Sequence, residues 1–274
     1  MVPDTNPREQ EEAAGGSELA ARSTTASGST ARGPLDAPAI VLLHGTRLSR
    51  AVWTPQLEAL NDEFRVIALD LPGHGERVAE RFSLDGAVEI VATAIRGAAA
   101  EGSAVVVGLS LGGYVAMTLA ARYPEIVRGL VIAGASAEPV GARLVGYRAL
   151  AATMDRLDGP TFDRLNRWFF RTRYPATVAE PIVAGGFWSA GGAVALRTLF
   201  NERFVPRLAA YPGPTLILNG EFDILFRLSA TTFATAARNA RRVVLAGAIH
   251  LSNLDRPAAF SHAVRDFARS ASSP

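Results

Sequence analysis

Six short apolar runs, rich in β-branched residues, recur along the chain and alternate with segments of helical periodicity. The runs lack the polar alternation of a half-exposed strand, which predicts strands that are buried on both faces of a parallel sheet. Alternation of strands with helices predicts a doubly wound α/β domain whose functional loops follow the carboxyl ends of the strands. The runs are Ala39–Leu43, Arg65–Leu69, Ala104–Val107, Gly129–Ala133, Thr215–Leu218 and Arg242–Ala246.

Two of the intervening segments carry apolar stripes at helical spacing, as expected of helices that pack one face on a sheet. One stripe comprises Leu84, Val88, Val91, Ala92 and Ile95, and the other comprises Phe260, Ala263, Val264 and Phe267. The strand pattern stops after residue 137 and resumes after residue 212. We therefore predict a core formed by residues 38–137 and 213–270, with residues 138–212 inserted as a helical cap.

Residues 1–37 are rich in Ala, Gly, Ser and Thr and contain few large apolar side chains. Such a segment buries too little apolar surface to order itself, so we predict a mobile N-terminal tail, with a weak strand near Leu19–Thr25 as the alternative. The first residues are acidic without an apolar run, and no apolar stretch reaches the roughly 18 residues of a membrane span. We expect a cytoplasmic protein that does not bind membranes.

Two missing residue types exclude whole classes of chemistry. The chain has no cysteine, which excludes disulfides, a thiolate nucleophile and Cys-ligated metal centres. All 28 basic residues are arginine, which excludes a Schiff-base lysine and a P-loop lysine. We predict neither a metal nor a cofactor. The formal net charge of +2 is small and scattered, so we expect no nucleic-acid partner. The oligomeric state stays open.

The strongest motif is Gly108-Leu109-Ser110-Leu111-Gly112, which directly follows a predicted strand and precedes a helical segment. Gly-x-Ser-x-Gly between a strand and a helix is typical of a nucleophile elbow, a sharp turn that exposes the serine hydroxyl above the sheet. The adjacent helix N-terminus favours developing negative charge. The alternative is a simple linking loop, but the strand–turn–helix context favours Ser110 as a nucleophile.

A second motif, His44-Gly45-Thr46, follows the first predicted strand. Stabilising an oxyanion requires two donors that point at one position. The backbone amide of Leu111, just after the serine, is one candidate, and that of Thr46 is the other. We interpret His44 as a structural residue of the loop.

The base is predicted by elimination among the four histidines. His262 lies off the apolar face of the last helix, and His74 lies in a tight loop after the second predicted strand. His250 follows the last predicted strand and precedes the last helix, so it opens on the same edge of the sheet as the serine. We therefore predict His250 as the base.

The acid is predicted from chain order. Asp223 follows the penultimate predicted strand and precedes His250, which gives the order Ser, Asp, His. A carboxylate at this position accepts a hydrogen bond from the second ring nitrogen of the histidine and thereby fixes the tautomer of the ring. Glu221 and Asp70 are rivals, and the expected role of Asp70 is to bind amides of its own loop.

These motifs together resemble the α/β-hydrolase superfamily of serine hydrolases. The matching pieces include Asp-Leu-Pro-Gly-His-Gly at residues 70–75, Gly-Leu-Ser-Leu-Gly-Gly at 108–113 and His-Leu-Ser-Asn-Leu-Asp-Arg-Pro at 250–257. The last piece is most similar to small-ester hydrolases, enol-lactonases and cofactor-free haloperoxidases. The resemblance implies an α/β-hydrolase fold with an eight-stranded, mostly parallel sheet, a helical cap and acyl-enzyme chemistry.

Within the cap, Trp168 and Phe169 are predicted to bind the substrate, as is Trp53 near the oxyanion loop, although Trp53 is equally interpretable as a core residue. Leu165, Trp168 and Phe169 define one predicted helix face, which we expect to be buried. The arginines at 164, 167 and 171 share the other face. We expect that face to be solvated, and the substrate therefore to be neutral or weakly polar.

The resulting hypothesis is a serine hydrolase that acts on a small-molecule acyl substrate. It cleaves an ester, lactone or thioester of a small to medium, mostly apolar acid through an acyl-enzyme. Two alternatives stay open. One is a biosynthetic cyclase, carbon–carbon-bond hydrolase or isomerase that uses the same triad. The other is a non-catalytic ligand-binding protein of this fold.

Overall fold

The computed structural model describes residues 27–157 and 159–272 and contains a seven-stranded sheet in the order β1-β3-β2-β4-β5-β6-β7. β1 pairs antiparallel with β3, and all other neighbours are parallel. This confirms the predicted α/β fold with a mostly parallel sheet. The strands are β1 (Ser29–Arg32), β2 (Ala39–Leu43), β3 (Arg65–Leu69), β4 (Ala104–Leu109), β5 (Val127–Ala133), β6 (Pro214–Gly220) and β7 (Asn239–Leu245).

Helices cover both faces of the sheet. Further helices occupy the chain segment that connects β5 to β6. In chain order they are α1 (Thr54–Leu60), α2 (Leu84–Ala98), α3 (Leu111–Arg122), α4 (Arg143–Arg156), α5 (Pro160–Arg173), α6 (Ala176–Gly185), α7 (Ser189–Thr198), α8 (Val205–Ala210), α9 (Ile224–Ala236), α10 (Ser252–Asp255) and α11 (Pro257–Ser272). Short 3₁₀ turns lie at Arg50–Trp53, Gly75–Arg77 and Pro124–Ile126. Within the described residues, none of the helices is long and apolar enough to cross a membrane.

The central strands β2 and β4 are apolar at every position because both faces of the sheet are covered. Successive residues of a strand point to opposite faces. Ile40 and Val41 in β2 accordingly belong to two different hydrophobic clusters, one on each side. The edge strand β7 is largely exposed and begins at Asn239. It starts earlier than the predicted start at Arg242, because its first residues lie outside the apolar run on which the prediction rests.

One part of the predicted tail is wrong. Residues Ser29–Arg32 form the edge strand β1, with Ala31 buried and Arg32 exposed. A four-residue strand at the edge of a sheet needs no continuous apolar run, because one side of it faces solvent. Residues 1–26, including the predicted weak strand at Leu19–Thr25, lie outside the described part of the chain. The described part therefore contains seven strands rather than the eight that the resemblance implies.

Helices α4 to α8 lie between β5 and β6, in the interval that the sequence predicts as a cap. Helix α5 begins at Pro160. Proline is favoured at this position because the N–H groups of the first helical turn have no partner within the helix, so the N–H that proline lacks is not missed. The boundaries of the cap and the core at residues 138 and 212 stay predictions.

Candidate active site

Ser110 lies on a strained turn between β4 and α3. Its backbone has φ 50° and ψ −112°, a conformation that non-glycine residues rarely adopt. Hydrogen bonds hold the turn on both sides, because the Ser110 amide donates to Ala133 O at 2.8 Å and the Gly112 amide donates to His44 O at 3.1 Å. The turn therefore fixes the serine between the ends of β2 and β5.

The glycines of the elbow are required by close backbone contacts. A Cβ on Gly108 would lie 2.3 Å from the carbonyl oxygen of Gly112, and a Cβ on Gly112 would lie 2.2 Å from that of Leu43. Neither neighbour is a flexible side-chain end, so any larger residue at 108 or 112 would displace the backbone of the turn. The Gly-x-Ser-x-Gly pattern thus follows from packing within the turn and against β2.

Asp223 and His250 meet at the carboxyl edge of the sheet, because β6 and β7 are neighbours and both residues follow the ends of these strands. His250 Nδ1 lies 2.9 Å from Asp223 Oδ2. A carboxylate only accepts, so this nitrogen carries the proton and Nε2 is left as the acceptor. Asp223 is buried, and the His250 ring stacks on Phe226 with centroids 5.0 Å apart.

Gly134, which the sequence analysis missed, lies directly against this pair. It follows β5 with φ 55°, and a Cβ there would lie 2.9 Å from His250 Cε1 and 3.1 Å from Asp223 Oδ2. The available signal was a run of small residues, Gly134-Ala135-Ser136, directly after a buried strand.

The two rival carboxylates have other partners. Glu221 Oε2 accepts the amide of Gly247 at 2.8 Å, which ties it to the loop after β7. Asp70 is buried and accepts the amides of Arg50 at 2.7 Å and Glu76 at 3.0 Å, and it also pairs with the Arg50 guanidinium. Asp70 therefore organises its own loop, as the sequence analysis expects.

Ser110 and His250 line one cavity of about 640 Å³ between the sheet and the cap. Within the described residues, no hydrogen bond connects the side chains of Ser110 and His250. Such bonds are often long in structures without substrate. The apolar wall of the cavity includes Met154, Phe162, Phe169, Phe170, Leu196 and Phe226.

Thr46 and Leu111 also line this cavity. Their loops are adjacent because Leu43 at the end of β2 pairs with Gly108 in β4. Within the described residues, neither the Thr46 amide nor the Leu111 amide donates to a protein acceptor. Both are therefore available to a ligand in the cavity.

Two buried histidines hold the loop after β2. His44 Nε2 accepts the Leu71 amide at 2.9 Å, and His74 Nε2 accepts the Arg47 amide at 3.1 Å. Their Nδ1 atoms donate to the carbonyls of Gly45 and Pro72. Burial lowers the pKa of His44 to about 4 and that of His74 to about 3, so both rings are neutral. His44 is thus placed as a structural loop residue, and His262 is exposed beside Asp266.

A buried pair of hydroxyls that also lines the cavity was missed by the sequence analysis. Tyr114 Oη donates to Ala137 O at 2.7 Å and lies 2.5 Å from Tyr147 Oη. Burial raises the pKa of Tyr147 to about 12 and raises that of Tyr114 well above its ordinary range, so both hydroxyls keep their protons at neutral pH.

Two of the three predicted substrate-binding side chains lie elsewhere. Trp53 is fully buried in the core, with its ring 5.8 Å from that of Phe260, and Trp168 is 62% exposed on the outside of the cap. Phe169 does line the cavity. The cavity-facing side of α5 carries Phe162, Phe169 and Phe170.

The predicted buried face of α5 is therefore wrong, because Leu165 and Trp168 face solvent. The three cap arginines lie outside the cavity and have protein partners. Arg164 donates to Thr161, Arg167 pairs with Asp163 at 3.3 Å, and Arg171 forms a two-bond pair with Glu180.

Comparison with known proteins agrees with the fold. A family profile described as "Alpha/beta hydrolase family" matches residues 40–263. The 3-oxoadipate enol-lactonase 1 of Acinetobacter baylyi is 27% identical over 243 residues, covering 87% of this chain and 91% of that one. A pimeloyl-[acyl-carrier protein] methyl ester esterase of Nitrosomonas europaea is 41% identical over 96 residues, covering 35% of this chain and 36% of that one.

A solved structure of a thermophilic esterase from Thermogutta terrifontis superposes with a TM-score of 0.75 at 24% identity, covering 92% of this chain and 98% of that one. This likeness shows the fold. The family profile and the relatives together identify an enzyme of the hydrolase class. The chain belongs to the α/β hydrolase family, because the family profile spans most of its length. The predicted family, fold and enzyme class are confirmed.

Proposed function

We propose that the protein is a serine hydrolase that cleaves an ester, lactone or thioester of a small to medium, mostly apolar acid. The observation that carries this proposal is the 2.9 Å contact between His250 Nδ1 and buried Asp223, in a cavity that also contains Ser110 on its strained turn. The names of the two curated relatives, an enol-lactonase and a methyl ester esterase, support cleavage of a carboxylic ester bond.

In the proposed reaction, Ser110 Oγ attacks the acyl carbon while His250 Nε2 takes its proton. Asp223 orients the ring and stabilises the imidazolium that forms. The amides of Thr46 and Leu111 donate to the oxyanion. The tetrahedral intermediate collapses, and the leaving alcohol or thiol receives the proton from His250. Water, activated by the same nitrogen, then releases the acid and restores Ser110.

The lining of the cavity supports a mostly apolar acyl group. Aromatic and aliphatic side chains of the cap line the cavity, as does the buried Tyr114–Tyr147 pair. Apolar walls with a few fixed polar groups are typical of small-molecule sites. The oxyanion loop and the elbow lie at the sheet side of the same space.

A fluorophosphonate probe combined with a screen of acyl substrates tests the proposal. Wild-type protein should be labelled at Ser110, and Ser110→Ala should lose labelling and about 10⁴–10⁶-fold in kcat while keeping its fold. An unlabelled wild-type protein would favour the binding-protein alternative. Labelling with a product that incorporates no water would favour a rearrangement by the same triad.

A further inference from the structure

Arg47 directly follows the proposed oxyanion residue Thr46 and lies in the left-handed backbone region, with φ 57°. Its backbone is held from two sides. The amide donates to His74 Nε2 at 3.1 Å, and the carbonyl accepts the Trp188 amide of the cap at 2.9 Å. A non-glycine residue keeps such a conformation only where its surroundings impose it, and such residues concentrate at functional sites.

The side chain of Arg47 lies at the wall of the proposed substrate cavity. Its guanidinium carbon lies 5.2 Å from the ring centroid of Phe162, and both residues line the cavity. Other arginines of the chain, such as Arg50 and Arg171, are ion-paired. Within residues 27–157 and 159–272, no carboxylate pairs with Arg47. Its charged group lies over the ring of Phe162.

Within the described part of the chain, no carboxylate therefore compensates the charge of Arg47. Among the described residues, no Asp or Glu lines the cavity, whereas a second arginine, Arg143, lies at its exposed rim. Desolvation lowers the pKa of Arg47. An arginine nonetheless keeps its proton in proteins, so the desolvation penalty remains until an anion approaches. A guanidinium also matches a carboxylate through two parallel hydrogen bonds.

We propose that Arg47 binds a carboxylate of the substrate, so that the ester cleaved at Ser110 carries a free carboxylate in its acid or its alcohol part. This inference rests on the proposed function and gives it a substrate class: a monoester of a dicarboxylic acid, or an ester of a hydroxy acid. The expectation of a neutral substrate came from the cap arginines. Those arginines do lie outside the cavity, but Arg47, in the loop after β2, lines it.

Two pairs of esters, matched in length, test the proposal. Monomethyl adipate is compared with methyl hexanoate, which places the carboxylate in the acid part. 4-(Butanoyloxy)butanoate is compared with butyl butanoate, which places it in the alcohol part. The measured quantity is the ratio of kcat/KM within each pair, for wild type, Arg47→Met and the matched cap variant Arg164→Met.

Wild type should prefer the carboxylated member of one pair, and the pair identifies the part of the substrate that Arg47 contacts. Arg47→Met should reduce that preference by about 30-fold or more, as loss of a desolvated charge pair does. Arg164→Met should keep the wild-type ratio. Because a ratio is measured, a general effect of the substitution on the strained loop cancels.

An unchanged ratio in Arg47→Met would overturn this inference and leave ester hydrolysis at Ser110 intact. Failure of the proposed function has a different signature, namely no fluorophosphonate labelling at Ser110. A binding measurement tests the proposal even for esters that are hydrolysed too slowly for kinetic measurement. Calorimetry on Ser110→Ala should detect binding of the carboxylated ester that Ser110→Ala with Arg47→Met lacks, and equal binding by both proteins, or none by either, would contradict the proposal.

Discussion

Gly134 lies so close to the ring of His250 that a methyl side chain at position 134 would clash with the ring. A Cβ on Gly134 would be 2.9 Å from Cε1 and 3.0 Å from Nδ1 of that ring. Carbon atoms in van der Waals contact lie about 3.5–4.0 Å apart. The end of β5 therefore determines where the proposed base lies, although Gly134 takes no part in the chemistry.

Replacing Gly134 with alanine should displace His250 from Asp223. The positive φ of 55° adds backbone strain to the steric clash. We expect kcat to fall by at least about tenfold, because an ångström-scale misplacement of a catalytic group is costly. Gly97→Ala is the matched control, since a Cβ there meets nothing within 4 Å. A folded Gly134→Ala protein with wild-type kcat would contradict this account of the site.

Substitution of the three carboxylates near the site should separate catalysis from structure. Asp223→Asn should lose about 10⁴-fold in kcat, because the amide favours the wrong tautomer of His250. Glu221→Gln should lose much less, since Glu221 contacts the Gly247 amide instead of the histidine.

Asp70→Asn should mainly reduce the free energy of unfolding. Asp70 is buried and pairs with Arg50, and removing one partner of a buried pair costs about 3–5 kcal/mol. Urea unfolding and kcat are measured for all three variants. A folded Asp70→Asn protein that loses more kcat than Asp223→Asn would mean that the acid is misassigned.

The elbow turn and the proximity of Asp223 to His250 were predictable because each depends on a local rule. A sharp turn after a buried strand requires glycines at fixed spacing, and chain order then places Asp223 and His250 at neighbouring strand ends. The role of Arg47 was not predictable in this way. Its signal is the lack of a carboxylate partner, which only the assembled cavity reveals.

The cap was predictable as helices, but its orientation was not. Periodicity divides α5 into faces without saying which face meets the sheet. Phe162, Phe169 and Phe170 face the cavity, whereas Trp168 faces solvent. The same limit applies to Trp53. Its place in the sequence, near the oxyanion loop, does not reveal that Phe260 of α11 packs against it.

Two buried histidines predict that the protein loses stability on acidification. His44 and His74 are neutral in the folded state, where burial lowers their pKa from 6.5 to about 4 and about 3. Below pH 6.5 the unfolded chain binds protons that the folded protein does not. The stabilisation is therefore fully present above about pH 6.5 and decreases as the pH falls towards 4.

The expected slope is up to about 1.4 kcal/mol of unfolding free energy per pH unit for each histidine. Urea unfolding between pH 7.5 and 5 measures it. His74→Gln should flatten the slope, because an amide side chain offers a donor and an acceptor without titrating. His262→Gln, at an exposed histidine, is the matched control. Equal slopes for wild type and His74→Gln would contradict the proposed neutral network.

The arginines on the outer face of α5 should contribute little to substrate choice. Arg171 forms a pair with Glu180 in which both side chains are about half exposed, and Arg164 contacts Thr161 on its own helix. Exposed pairs of this kind are screened by water and salt. Arg164→Ala and Arg171→Ala should therefore change kcat/KM by less than about fivefold, for neutral and carboxylated esters alike. A selective loss on the carboxylated ester in either variant would mean that α5 turns this face towards the substrate, and Arg47 would then not be the cation that recognises it.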